Sequence, residues 1–194
     1  MRRPIFLSAS VPNREPFVQY FDAIAIREAV LSLVATQARE REIIFGGHPA
    51  ISPLVEHAAR SLGALDQIHI YQSQFFEDFI PDVAKEFPNL HWTKRQGEGD
   101  GNRNASLTLM RREMISSGDF CAAVFVGGME GIFEELSIFS ELHPHAPIIP
   151  VASTGGASKD VFVKMKDGFE SDTQILLRDE NRYQRVFAKL IPRD

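Results

Sequence analysis

Short apolar runs alternate with longer amphipathic stretches along this chain of 194 residues. Six of the runs have the length and composition of buried strands, and they cover 5–7, 43–45, 68–71, 90–92, 122–126 and 148–151. Strands that are apolar almost throughout are covered on both faces, and the segments between them are long enough for helices. The pattern therefore predicts an α/β fold, a doubly wound and mostly parallel sheet of about six or seven strands with helices on both faces.

Helices are predicted where apolar residues recur with a period near 3.6 residues. The clearest stretches are 17–38, 105–117, the segment opened by Gly131, and 181–190. The last of these is expected to be a packing helix without a chemical role.

A glycine-rich turn connects the fifth predicted strand to the helix that follows it. Its sequence is Gly127-Gly128-Met129-Glu130-Gly131. Backbone N–H groups and the positive end of the helix dipole favour an anion at such a turn, so these residues are predicted to hold a phosphate. The same arrangement also occurs in proteins that bind nothing, where it lets a helix pack closely on a sheet.

Three other predicted strands also run into small, polar or hydroxyl residues. Ser8 and Ser10 follow the first strand, Gly46-Gly47-His48 the second, and Thr154-Gly155 the sixth. Because the carboxyl ends of parallel strands meet at one edge of the sheet, these loops together predict a cradle for phosphate and ribose. Each loop taken alone is also explained as a plain turn.

A polar, glycine-rich segment over 96–104 separates the fourth predicted strand from the next helix. It is predicted to be mobile enough to close over a ligand. A bare surface loop explains the composition equally well.

Two charged residues fall on the apolar faces of their predicted helices. At about 100° per residue, Glu135 lies within the apolar arc of the helix opened by Gly131, whereas Glu134 points away from it. Arg111 shares a face with the apolar residues of the preceding helix. Because a buried charge is costly unless paired, Arg111 is predicted to contact a ligand phosphate and Glu135 to serve the same site. A structural pair between Arg111 and Glu135, or an Arg111 stem lying along apolar surface, is the alternative.

The composition restricts the class of protein. With 44% hydrophobic and 24% charged residues the chain has the balance of a soluble globular protein, and no linker rich in serine, proline or glycine divides residues 1–194. One domain is therefore expected. The apolar runs fall far short of the roughly 20 residues of a membrane span, and the first is too short for a secretory signal. A cytoplasmic protein without membrane contact is expected.

The net charge and the single cysteine indicate which ligands and which chemistry are not expected. The net charge of −5 argues against a general affinity for nucleic acid, which requires a basic face. Cys121 lies in an apolar run and is predicted to be buried rather than nucleophilic. Because the histidines and this cysteine do not stand at ligand spacing, no metal site and no cofactor are predicted.

These motifs resemble the SLOG superfamily, whose members are similar to the cytokinin-activating phosphoribohydrolases often called lysine decarboxylases. That group has a Pro-Gly-Gly-x-Gly-Thr-x-x-Glu turn and helix, preceded by a helix with an arginine before a methionine. The counterparts in this chain are Gly127-Gly128, Gly131, Glu135, Arg111 before Met114, and Gly46-Gly47 in the glycine-rich second loop. The resemblance spans nearly the whole chain and implies a Rossmann-like domain.

The chain departs from the hydrolase signature at several positions. Val126 replaces the proline, one extra residue precedes Gly131, and Ile132 stands where the threonine hydroxyl would be. The arginine is also one position closer to the methionine. An altered turn shifts the backbone donors and the lost hydroxyl removes a phosphate contact, so hydrolysis is affected more than nucleotide binding.

The segments 6–10, 45–50 and 127–131 resemble SLOG branches that sense nucleotide-derived signals in bacterial conflict systems, often beside TIR-type signal producers. The resemblance implies a sensor that binds a nucleotide or an ADP-ribose-like molecule, a functional link to a TIR-type protein, and a homodimer or higher oligomer. In this sensor the turn glycines hold phosphate, Arg111 neutralises it, and Glu135 accepts from a ribose hydroxyl.

The alternative is a nucleoside-monophosphate phosphoribohydrolase that releases the base. Glu135 would then stabilise oxocarbenium-like charge or position water, and Arg111 would orient the substrate. DNA handling, as in the superfamily's DNA-processing relatives, is disfavoured by the acidic charge balance.

Overall fold

Six parallel strands form the centre of the protein in a computed structural model, which describes residues 2–97 and 101–193. The strands are β1 (Arg2–Ser10), β2 (Arg41–Phe45), β3 (Ile68–Ser73), β4 (Asn89–Thr93), β5 (Ala122–Gly127) and β6 (Ile148–Val151). Their order across the sheet is β4-β3-β2-β1-β5-β6, and every neighbouring pair is parallel. The predicted parallel α/β sheet is confirmed.

Helices cover both faces of this sheet, as predicted. They are α1 (Ala23–Gln37), α2 (Ser52–Ser61), α3 (Gly101–Ile115), α4 (Gly131–Leu142), α5 (Gly156–Met165), α6 (Ser171–Asp179) and α7 (Tyr183–Leu190). One buried cluster receives side chains from α1, α2, α6 and α7, the other receives them from α3 and α4, and α5 contributes to both. None of the helices in the described ranges is long and apolar enough to cross a membrane.

The alternation of side chains along β1 explains why its sequence is apolar without interruption. Ile5 and Leu7 belong to the first buried cluster, whereas Phe6 between them belongs to the second. Successive side chains of a strand point to opposite faces, so a strand covered on both sides is apolar at every position. Cys121, directly before the fifth strand, is 1% exposed, and its predicted burial is confirmed.

The predicted start of the first helix was wrong. A single helix was expected over 17–38, but α1 begins at Ala23 because the side chain of Asp22 accepts the backbone N–H groups of Ile24 and Ala25, both at 2.9 Å. Residues Phe17–Gln19 form a separate 3-10 turn. Ile24, one of the apolar residues that give the stretch 17–38 its helical period, is 73% exposed.

Two other boundaries also differ from the prediction. Helix α3 begins at Gly101 rather than near Ala105, so the end of the predicted loop over 96–104 is helical. Residues 98–100 of that loop lie outside the described residues. Ser8 and Ser10 belong to β1 itself, which continues pairing with β5 as far as Ser10 opposite Gly127.

The strand order places the functional region. From β1 the chain builds outward through β2 and β3 to β4, and then crosses to β5 on the other side of β1. The connections therefore leave the carboxyl ends of β1 and β5 in opposite directions. In open α/β sheets this reversal opens the crevice in which ligands bind.

Candidate functional site

A cavity of about 880 Å³ lies at the carboxyl ends of β1, β2 and β3, between α3 and the N-terminus of α4. Its volume is near the upper end of the roughly 300 to 1,000 Å³ usual for small-molecule sites. The predicted ligand-binding residues that line it are Ser8, Ser10, Gly46, Gly47, His48, Arg111, Met129, Glu130, Gly131 and Glu135. The structure thus brings together residues from four separate sequence segments.

Four predicted ligand-binding residues, Gly127, Gly128, Thr154 and Gly155, do not line this cavity. The N–H of Gly127 donates to Thr154 Oγ1 at 2.9 Å, and the N–H of Gly128 donates to the carbonyl of Ser10 at 2.8 Å. An anion at this turn requires unpaired N–H groups, and this requirement is not met at Gly127 and Gly128, because both donate to residues outside the turn. Their predicted contact with phosphate stays a prediction.

Thr154 and Gly155 support the turn from behind. The Thr154 hydroxyl is fully buried, and it also donates to the carbonyl of Val151 at 2.6 Å. Gly155 pairs with Phe21 in an isolated bridge, and a Cβ on Gly155 would lie 2.6 Å from the Phe21 Cα. Close backbone contact therefore explains the glycine at this position.

The N-terminus of α4 opens into the cavity. Met129, Glu130 and Gly131 line the cavity, and Glu130 at the N-cap makes no side-chain capping bond. Within this first turn the N–H groups of Ile132 and Phe133 donate to the carbonyls of Met129 and Glu130 at 3.0 and 3.1 Å, whereas the Gly131 N–H has no hydrogen-bond partner among the described residues. This end of α4 therefore presents the Gly131 N–H and a partial positive charge to a ligand.

Arg111 of α3 reaches the same point from the opposite side. Its side chain is 13% exposed, its Nη1 is bonded to the Glu134 carboxylate, and its Nε lies 3.4 Å from Glu135 Oε1. A Cβ on Gly131 would lie 2.6 Å from Nη2. The guanidinium therefore rests against the first residue of α4, and the pairing of Arg111 with Glu135 across the crevice is observed.

Glu135 lies deeper in the cavity, where its side chain is 15% exposed. It accepts hydrogen bonds from the Ser8 hydroxyl and from Arg111. Burial raises the pKa of the Glu135 carboxyl, while the charge of Arg111 and the hydrogen bond from Ser8 lower it by less. Helical periodicity alone had marked this carboxylate as misplaced, and the structure shows the partners that hold it.

Glu134 is a lining residue that the helical periodicity missed. It was expected to point away from the site because it falls off the apolar arc of α4. In the structure it accepts from the Thr108 hydroxyl and from Arg111, and its side chain lines the cavity. A polar cavity occupies the flank of the helix beside its apolar face, so an off-arc position does not exclude a site role.

The second glycine loop is held by an amide side chain. Gln72 Nε2 donates to the carbonyls of Gly46 and Gly47 at 3.2 and 2.9 Å. Gly47 has a φ of +63°, which favours glycine. The next residue, His48, accepts the N–H of Ala50 at its Nδ1, and burial lowers the pKa of the ring. The neutral His48 ring therefore carries its proton on Nε2, as a donor.

Several residues that line the cavity were not predicted from the sequence. They include Asn13, Arg14, Phe76, Phe79, Ile80, Pro81, Arg103 and Asn104. Phe76 and Phe79 belong to a 3-10 segment, Gln74–Phe79, that directly follows β3. An aromatic pair after the carboxyl end of a predicted strand was an available signal, but its composition did not resemble a turn.

Comparisons with known proteins agree with this architecture. The family model described as the SLOG cluster3 family matches residues 16–191. Among solved structures, the chain is similar to TM1055, a Northeast Structural Genomics Consortium target, at 17% identity over 89% of each chain with a TM-score of 0.57. At this identity the similarity concerns the fold alone. A comparison with curated proteins gives no match.

Proposed function

The chain belongs to the SLOG cluster3 family, and from this premise we propose that its cavity binds a nucleotide or an ADP-ribose-like molecule. Binding, rather than turnover, is the output, and the protein acts as a sensor in a bacterial conflict pathway. The observation that carries the proposal is the convergence of Arg111 with the uncapped N-terminus of α4.

A phosphate has donors of two kinds at this point. Arg111 Nη1 and Nε face Glu134 and Glu135, whereas Nη2 faces Gly131. A phosphate oxygen beside Gly131 would accept from Nη2 and from the backbone N–H of Gly131 itself. Guanidinium forks and helix N-termini both favour phosphate, and here they act on the same small volume.

A ribose fits beside this phosphate because a carboxylate and a hydroxyl lie next to it. Glu135 and Ser8 are bonded to each other on the cavity wall. A carboxylate accepts from the paired hydroxyls of a ribose, and Ser8 can turn its own hydroxyl to donate or accept. Glu135 is therefore proposed to bind sugar rather than phosphate.

The departures in the turn favour a sensor over a hydrolase. Ile132 is 4% exposed and carries no hydroxyl at the position where the hydrolase group has threonine. Both carboxylates nearest the proposed phosphate are bonded to Arg111. In a conflict pathway, a TIR-type protein would supply the nucleotide-derived signal.

One observation favours the hydrolase as the second candidate. Glu135 is a buried carboxyl whose pKa is raised by burial, and such groups serve as acid and base catalysts in glycosidic bond cleavage. In that case Glu135 would act at the anomeric carbon and Arg111 would orient the substrate.

The two functions are separated by a direct assay. The protein is incubated with AMP or ADP-ribose. Binding is measured by calorimetry, and chromatography detects any free adenine that is released. The sensor proposal requires binding that depends on Arg111 without base release. Adenine release by the wild type that is lost in Glu135→Gln would identify a hydrolase instead of a sensor. A protein that binds neither compound would contradict both functions.

A further inference from the structure

An exposed aromatic ring lies on the wall of the cavity, far from α4. Phe79 is 78% exposed and ends the 3-10 segment that follows β3. Its ring also lines the cavity. A phenylalanine left in water is unfavourable, and a large apolar side chain beside a cavity sized for a small molecule commonly marks a contact with that molecule.

Phe79 has an aromatic and a cationic neighbour on the same wall. Phe76, one turn earlier, is half-buried, and the guanidinium carbon of Arg103 lies 5.8 Å from the centre of its ring. Arg103 belongs to the first turn of α3 and lines the cavity with both rings. Phe76, Phe79 and Arg103 are called the aromatic wall below.

Rings and guanidinium planes are the groups on which proteins stack nucleobases. Stacking needs a flat π-face with access from the solvent side, and it tolerates any base. Phe79 offers such a face, and Arg103 is held over a ring in the manner of a cation–π contact. The aromatic wall therefore has the chemistry of a base-binding surface.

The aromatic wall is separated from the proposed phosphate site by the width of several strands. The phosphate site follows β5 and the wall follows β3, with β1 and β2 between them. Neighbouring strands lie about 4.8 Å apart, so the two ends of the cavity are about 14 Å from each other. A sugar phosphate held at α4 does not reach the wall, whereas a nucleotide carries its aromatic ring away from its phosphate.

We propose that the aromatic wall is the base-binding end of the cavity and that the ligand is a nucleotide whose base stacks on Phe79 while its phosphate lies at Gly131 and Arg111. This inference rests on the proposed function, because the phosphate end fixes the direction of the ligand. It adds that the protein distinguishes nucleotides from base-free sugar phosphates.

The test compares ligands with and without a base. Calorimetry is performed with AMP, ADP-ribose and ribose 5-phosphate on the wild type and on Phe79→Ala, Phe79→Trp and Arg111→Ala. Ile175→Ala is the matched control, since Ile175 is a 53% exposed apolar residue of α6 that does not line the cavity. Thermal unfolding of each variant shows that it is folded.

Phe79→Ala should weaken the binding of AMP and ADP-ribose by about five- to hundredfold, which is the range measured for the loss of one base stack. The same variant should leave the affinity for ribose 5-phosphate unchanged. Phe79→Trp should retain nucleotide affinity because it restores a π-face, and Ile175→Ala should bind like the wild type. Arg111→Ala should weaken the binding of all three ligands.

Three results would overturn the assignment of a base-binding end while leaving the proposed function intact. Either Phe79→Ala binds AMP as the wild type does, or it weakens ribose 5-phosphate to the same extent as AMP. If Phe79→Ala instead sediments with a different mass from the wild type and shows no selective loss of AMP affinity, Phe79 lies in a contact between copies of the chain, which also overturns the inference. A wild type that binds none of the three phosphates would reject the proposed function itself.

Discussion

The guanidinium of Arg111 lies directly against Gly131, so that a Cβ on residue 131 would be 2.6 Å from Nη2. Residue 131 is the first residue of α4 and does not have a positive φ. Glycine is therefore needed here for space rather than for backbone conformation. The glycine makes room for the one guanidinium nitrogen that faces the helix N-terminus.

This contact predicts the effect of Gly131→Ala. The new methyl group pushes the guanidinium away without straining the backbone, because alanine is at least as favourable as glycine in a helix. The affinity for AMP should fall about tenfold, which corresponds to losing about 1.4 kcal/mol of charge-assisted hydrogen bonding, while the melting temperature stays the same or rises. Calorimetry and thermal unfolding measure the two quantities.

Gly168→Ala is the control for this substitution, because a Cβ at Gly168 meets nothing within 4 Å. It should change neither the affinity nor the melting temperature. An unchanged AMP affinity in Gly131→Ala would show that Nη2 does not take part in binding.

Removing the guanidinium itself should have a larger effect. Arg111→Ala should weaken AMP binding by about 10- to 100-fold, because hydrogen bonds to charged groups contribute about 1.5 to 3 kcal/mol. The adjacent Arg112 pairs with Glu141 at the exposed surface, so Arg112→Ala removes an equal charge from the same helix without touching the cavity. Equal losses in the two variants would mean that the arginine acts only through general electrostatics.

Glu135→Gln separates binding from chemistry. An amide of the same shape can still bond to a ribose hydroxyl and to Ser8, so we expect the AMP affinity to change by less than about tenfold. Chromatography should detect no free adenine with the wild type or the variant. Adenine production by the wild type that disappears in Glu135→Gln would identify a hydrolase.

The buried Glu135 carboxyl also predicts a pH dependence of stability. Its pKa is raised in the folded protein, so the folded state binds this proton more tightly than the unfolded state does. The resulting stabilisation is fully present below the ordinary pKa of 4.5 and is lost as the pH rises through the higher folded pKa. Each pKa unit between the folded and the unfolded state corresponds to about 1.4 kcal/mol in the free energy of unfolding.

Urea unfolding at a series of pH values between about 4.5 and 8 tests this dependence. The loss of stability across this range should be smaller in Glu135→Gln, which has no proton to release. Glu141→Gln, an exposed change on the same helix, should reproduce the wild-type profile. A profile in Glu135→Gln that matches the wild type would contradict the prediction.

Thr154 is predicted to act on the fold rather than on the ligand. Thr154→Val removes the hydroxyl that accepts the Gly127 N–H and leaves that buried donor without its partner. The free energy of unfolding should fall by about 1 to 3 kcal/mol, with little change in AMP affinity. Ser153→Ala, a partly buried change in the same 3-10 turn, should cost less. If Thr154→Val instead loses AMP affinity at unchanged stability, Thr154 belongs to the ligand site.

The sequence by itself determined the elements and the residues that break their pattern. The six strands, the parallel arrangement and the inward faces of α3 and α4 follow from apolar periodicity, which is a local property of each segment. Arg111 and Glu135 stood out because a charge on an apolar face requires a partner. The SLOG membership was recognised from the glycine turns and these two residues, and it is confirmed by the family match.

Only the tertiary structure decided which of these residues meet. The strand order brings β3 to the same cavity as the start of α4 and adds the aromatic wall, whose two phenylalanines do not have the composition of a ligand-binding turn. The turn at Gly127 and Gly128 looked like the phosphate site, but its N–H groups are taken by Thr154 and Ser10 from distant parts of the chain. Hydrogen bonds and contacts between segments far apart in sequence depend on how the chain crosses the sheet, and local periodicity does not specify those crossings.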